Sequence, residues 1–178
     1  MAITVGTDTY LTVASADTYV EANYICSDTK YSTWDALSDA TKEIYLKRAT
    51  KKLDRQYLRG VKAVSSQTLE FPRAIRTEYR RDNFPLINIT LDNDWVIETS
   101  VNQMVIDAQV EEAITLATSS ATAGKRAELQ AQGVKSFSLG NLSEDYGAGE
   151  TSATGSTKLL SIDAQELLRY YVVGSVAL

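Results

Sequence analysis

Histidine is absent from this sequence, which removes the commonest general base and the commonest metal ligand at once. Cys26 is the only cysteine, so no intrachain disulfide can form. Without a histidine beside it, that thiol reads as a packed or incidental side chain rather than a nucleophile. Two acidic runs, Asp92-Asn93-Asp94 and Glu144-Asp145, carry the charge a metal would need. Neither has the further ligands and the glycine that a calcium loop sets at fixed positions, so both read as solvated loop acids. Glu111 and Glu112 are neighbours in a helical pattern, where adjacent side chains point apart. No phosphate-binding loop and no dinucleotide fingerprint occur. No catalytic, cofactor-binding or metal site is therefore expected, and the chain reads as a non-enzyme.

The remaining chemistry is charge. Lys42, Lys47, Arg48, Lys51, Lys52, Arg55 and Arg59 crowd the stretch Ser38–Gly60, with Glu43 and Asp54 opposing them. Arg48, Lys52, Arg55 and Arg59 follow helical spacing and form a basic stripe. Arg73, Arg76, Arg80 and Arg81 extend the basic region. One reading is a surface for DNA or an acidic neighbouring subunit. The other is an ordinary solvated helix face, and the acidic remainder of the chain favours it. With 18 Lys and Arg against 23 Asp and Glu, the net charge is −5, which argues against a general nucleic-acid coat. Tyr45, Tyr57, Phe71 and Tyr79 lie near the stripe and could stack on bases, although a core role is the preferred reading for them.

The elements that would position these groups follow from pattern. At 178 residues and 44% hydrophobic content, one globular domain with a sizeable core is expected. No apolar run approaches the roughly 20 residues of a membrane span. Met1-Ala2-Ile3-Thr4 lacks the basic-then-apolar order of a signal peptide, so a cytoplasmic protein is expected. Ile3–Val13 reads as an extended arm or short strand, and Ser15 as the cap of a short helix over Ala16–Tyr24. Thr29–Leu37 reads as a loop anchored by Tyr31 and Trp34. Ser38 or Asp39 caps the next helix, whose apolar face is Leu46, Ala49, Leu53 and Tyr57; it runs to about Leu58 and stops at Gly60.

Phe71 precedes Pro72 and must be extended or in a turn. Residues 76–96 read as a long loop or hairpin insertion, with a β-like Leu86–Leu91. A third helix spans roughly Thr99–Ser120, and Val134–Tyr146 reads as a hairpin turning at Gly140-Asn141. Residues 147–157 are small and polar, a flexible loop. Ser161 caps the last helix, over Ile162 to about Val172. The fold class expected is mainly α, a small bundle of about four helices with a β-hairpin and a long loop insertion. The apolar end, Tyr170, Tyr171, Val172, Val173, Val176 and Leu178, either completes its own core or docks on another subunit.

The order of several short motifs resembles the head–tail connector (head-completion or adaptor) family of tailed bacteriophages. They are Thr9-Tyr10-Leu11-Thr12 before Ala14–Tyr19, Trp34–Glu43, Ala49–Asp54 with Tyr57 and Gly60, Leu69-Glu70-Phe71-Pro72-Arg73, and Gly133–Ser136 with Gly140-Asn141. The resemblance covers most of the chain. It departs in the length of residues 76–96, in Phe71 where tryptophan is frequent, and in the acidic Ser143-Glu144-Asp145. It implies a structural virion protein of the phage neck, assembled in the host cytoplasm. Its partners would be a homo-oligomeric ring of about twelve copies built on heterologous contacts, the portal protein, a tail-side neck protein, and DNA passing through the channel. The C-terminal segment, 161–178, would dock on the portal. Some relatives of this type are named after a primosomal single-stranded-DNA-binding protein, so the second reading is a single-stranded-DNA-binding module of a phage replication system.

Overall fold

The computed structural model describes residues 3–76, 89–92, 95–119, 136–139, 142–145 and 159–173. The chain divides into two compact units, the first made of Met1–Thr118 with Lys158–Leu178 and the second of Ser119–Thr157. The first unit is mainly α. Its helices are α1 (Val13–Asn23), α2 (Thr29–Asp35), α3 (Asp39–Leu53), α4 (Gln103–Thr118) and α5 (Ile162–Leu168).

Side-chain caps start α1 and α5, whereas Asp28 and Ser38 stand at the starts of α2 and α3 without a side-chain cap bond. Thr12 is extended and its side-chain oxygen accepts from the Ser15 amide, so α1 begins earlier than a cap at Ser15 would allow. Ser161 caps α5, accepting from the Ala164 amide at 3.2 Å. The segment expected as a loop around Tyr31 and Trp34 is the helix α2. It forms because Trp34 has a buried site to fill: its ring is 1% exposed and its indole N–H donates to Asp17 at 2.8 Å.

α4 is the central helix. It is buried on nearly all sides and packs against α1, α2, α3 and α5. Val110, Ala113 and Ile114 meet Leu46 and Ala49 of α3 and Trp34 of α2 in one core cluster. Val105 and Ala108 face Leu53, Phe71, Leu168 and Tyr171 in the other. A side chain buried this deeply contributes roughly 1.5–3 kcal/mol of hydrophobic stabilisation.

α3 ends at Leu53, short of the expected Leu58. The backbone groups beyond it are satisfied elsewhere. The Arg59 amide donates to the Tyr171 carbonyl at 2.6 Å and the Val173 amide to the Tyr57 carbonyl at 2.8 Å, around a Leu58–Val172 antiparallel bridge. α5 likewise stops at Leu168, because residues 171–173 are extended against 57–59.

The rest of this unit is a four-stranded antiparallel sheet. Its strands are β1 (Val61–Lys62), β2 (Arg73–Arg76), β3 (Ile89–Asp92) and β4 (Trp95–Glu98), in the order β1-β2-β4-β3. Val61 pairs with Ala74, and Ile97 lies between Ala74 and Thr90. The insertion expected over 76–96 thus ends as the β3–β4 hairpin; residues 77–88 lie outside the described residues. Gly60 lets β1 approach β2. Its φ is +72°, and a Cβ there would overlap the Ala74 carbonyl.

The second unit carries the hairpin of β5 (Ser136–Leu139) and β6 (Leu142–Asp145), with Ser136 opposite Asp145 and Leu139 opposite Leu142. This is the hairpin expected from the sequence. The loop expected over 147–157 lies outside the described residues.

Candidate nucleic-acid interface

α3 is amphipathic in two senses. Leu46, Ala49 and Leu53 are fully buried, and its cations divide into two sets. Lys42 reaches Asp17 at 2.9 Å, with its ammonium 5.6 Å from the Trp34 ring centre. Lys47 lies 3.5 Å from Asp8. Lys52 lies 2.8 Å from Glu112, a fully buried carboxylate that also accepts the Leu160 and Ser161 amides at 2.8 and 2.9 Å. Glu112 therefore ties α3, α4 and the entrance to α5 together.

Arg48, Lys51 and Arg55 are exposed, and none has a carboxylate within ion-pair distance among the described residues. Ile44, Arg48 and Lys51 take outward positions on α3, Arg55 lies in the turn that follows it, and Tyr57, 82% exposed, stands just beyond. The Arg48 guanidinium lies 5.8 Å from the Tyr45 ring centre.

The outward stripe is thus Arg48–Lys51–Arg55, not Arg48–Lys52–Arg55–Arg59. Lys52 turns inward to Glu112. Arg59 is half-buried in the segment paired with the chain's end, its carbonyl accepting from Arg73. Tyr57 was expected on the apolar face of a continuing helix; because the helix has already ended, its side chain points to solvent.

The segment carrying Tyr57 is held by Arg73, which is 4% exposed. Its Nε donates to the Arg59 carbonyl at 2.8 Å and its Nη2 to the Gly60 carbonyl at 2.9 Å. Its Nη1 pairs with Glu70 at 2.7 Å, and its amide donates to Glu98 at 2.9 Å. Phe71 packs edge-on between Tyr10 and Tyr171, with ring centres 5.8 and 4.9 Å away. The Phe71-Pro72-Arg73 motif is thus a core wedge followed by a backbone clamp.

Most of the described acids that touch this framework are occupied inside it. The Tyr10 hydroxyl donates to Asp54 and the Tyr171 hydroxyl to Glu98. Tyr19 and Tyr24 donate to Glu111, at 2.9 and 2.6 Å. Burial pushes all four tyrosines well above their ordinary range, and the neighbouring carboxylates push further in the same direction. Burial also raises Asp54 and Glu98, against the lowering effect of the hydrogen bonds they accept. No group of three Cys, Asp or Glu residues suited to a metal ion occurs among the described residues.

The C-terminal candidates divide. Tyr171 is fully buried in the chain's own core, and Val172 is half-buried against the same cluster. Tyr170 is half-buried with the Arg169 guanidinium 5.1 Å from its ring centre, and Val173 is 45% exposed. Val176 and Leu178 lie outside the described residues. Cys26 is exposed.

Fold and charge placement together define a small, mainly α protein with a basic ridge that no described carboxylate pairs with, leading to an exposed aromatic ring. Over residues 2–177 the chain matches the family described as "Putative DnaT-like ssDNA binding protein", and it belongs to that family. No curated protein and no solved structure matches it. The family assignment overturns the head–tail connector reading. The connector ring, the portal, the tail-side neck protein and the role as a virion structural protein fall with it, as does portal docking of the C-terminal segment. The residues behind the resemblance have structural duties that explain their presence without a connector: Trp34 and Leu53 fill cores, Gly60 admits β2, and Arg73 clamps backbone.

Proposed function

We propose that this chain is a single-stranded-DNA-binding module, the second of the two readings the sequence supports. The family description points to that ligand. The observation that carries the proposal to particular residues is the division of the cations on α3 and the turn after it: Arg48, Lys51 and Arg55 have no carboxylate partner among the described residues, while Lys42, Lys47 and Lys52 each have one. Unneutralised cations on a rigid helix meet phosphates and release their condensed counterions, giving binding that weakens as salt rises. The exposed ring of Tyr57 at the end of the ridge adds a surface of the kind bases stack on.

The same reading makes the chain a binder rather than an enzyme. The sequence has no histidine, and Asp54, Glu98, Glu111 and Glu112 are all engaged by internal donors. The test is fluorescence anisotropy with a labelled oligothymidylate across a salt series. Binding that falls log-linearly with salt, and a strand recovered unaltered after prolonged incubation, are expected. Absence of binding at low salt would sink the proposal, and a cleaved or modified strand would sink the non-enzymatic reading.

A further inference from the structure

Resting on the single-strand-binding reading, we propose a division of labour within the interface. The basic ridge supplies affinity for any phosphate backbone, and Tyr57 selects single strands by stacking on one unpaired base.

Three observations lead to it. Tyr57 is the most exposed of the large hydrophobic side chains among the described residues, at 82%. Unlike Tyr10 and Tyr171, which are buried in the core, this ring keeps its face in water and open to a ligand.

Second, the backbone beneath the ring is held from both sides. The Tyr57 carbonyl accepts from the Val173 amide at 2.8 Å, and two residues on the Arg59 amide donates to Tyr171 at 2.6 Å. The buried Arg73 guanidinium takes the carbonyls of Arg59 and Gly60, at 2.8 and 2.9 Å. A ring presented on a pre-ordered backbone loses little further freedom on binding, which is how a stacking platform keeps its affinity.

Third, Tyr57 follows Arg55 directly on the exposed side. At about 1.5 Å per residue the rise along α3 from Arg48 to its end at Leu53 is roughly 7.5 Å, and Arg55 and Tyr57 follow in the turn beyond it. A short run of backbone along the ridge would bring the next base to the ring. In a duplex every base face is already covered by its neighbours, so the platform discriminates where the cations do not.

The experiment uses the full chain and three labelled probes of equal length: oligothymidylate, a duplex, and an oligothymidylate carrying abasic positions. For the wild type, oligothymidylate is expected to bind more tightly than either the duplex or the abasic strand, and a duplex bound as tightly as oligothymidylate would overturn the selection. Tyr57→Ala is expected to weaken oligothymidylate binding about tenfold, to leave duplex binding and the salt slope unchanged, and to bind the abasic and intact strands alike. Tyr57→Phe is expected to retain wild-type behaviour, because the stacking face is kept. The comparison of intact and abasic strands on the wild type needs no variant, so it stands whether or not Tyr57→Ala folds.

Equal binding of intact and abasic strands by the wild type overturns the platform and leaves the basic ridge standing. So does oligothymidylate binding by a folded Tyr57→Ala that matches the wild type. A wild type that binds no probe at low salt overturns the binding reading itself, and the platform with it.

Discussion

The cations of α3 and of the turn that follows it form two sets that residue type does not separate. Lys42, Lys47 and Lys52 lie against Asp17, Asp8 and Glu112, whereas Arg48, Lys51 and Arg55 face outward without such partners among the described residues. The inward set is structural. Lys52 in particular neutralises a carboxylate that is fully buried and holds the entrance to α5. The outward set makes no comparable contribution to folding, since isolated surface charges move stability by only a few tenths of a kcal/mol. The same chemistry therefore appears twice, closing the fold on one face and leaving charge exposed to solvent on the other. Neighbouring carboxylates decide which is which.

Breaking the inward set has the largest expected effect. Glu112→Ala leaves Lys52 and the Leu160 and Ser161 amides without their acceptor, and a loss of about 3–5 kcal/mol in chemical denaturation is expected. The outward counterpart is Arg48→Ala with Lys51→Ala and Arg55→Ala. It is expected to leave stability within about 0.5 kcal/mol. Its single-strand affinity should fall about a hundredfold at roughly 0.1 M salt, with the log–log salt slope shallower by roughly two. If the two variants exchange these outcomes, the division is wrong.

A smaller effect tests the segment between the sets. Gly60→Ala forces a side chain into a left-handed backbone facing Ala74, and a destabilisation of about 1–3 kcal/mol is expected by thermal or chemical unfolding.

The smallest effect is in pH. Asp54 and Glu98 are raised in the folded protein, chiefly by burial. Their contribution to stability is fully present below the ordinary carboxylate range and is lost as the pH rises through their folded values. A modest gain in Tm on moving from neutral into mildly acidic buffer is expected. Glu98→Gln should reduce that gain, and the outward triple variant should not alter it. A Tm that falls over the same interval in the wild type, with Glu98→Gln unchanged, would count against the assignment.

The connector resemblance shows how far short motifs can lead. Leu69-Glu70-Phe71-Pro72-Arg73 was informative about architecture, because a wedge of three aromatic rings and a buried arginine clamp require those residue types. It was uninformative about partners, because Arg73 is 4% exposed and its guanidinium is taken up by Arg59, Gly60 and Glu70. The family match over residues 2–177 corrected the function and left the mainly α fold with its hairpin in place.

The sequence alone determined the helical stripes of α3 and α4, the Ser161 cap, the hairpin over 136–145 and the absence of histidine chemistry. Those features are local: a period, a cap or a turn is written within a few residues. Only the tertiary structure decided that Lys52 turns inward while Lys51 does not, and that Tyr57 leaves the core. The carboxylates that neutralise α3 come from positions 8, 17 and 112. The end of α3 is set by hydrogen bonds to residues 171–173 and by the Arg73 clamp. Partners so distant along the chain leave no periodic trace beside the residues they act on, so the interface became legible only once the helices had packed.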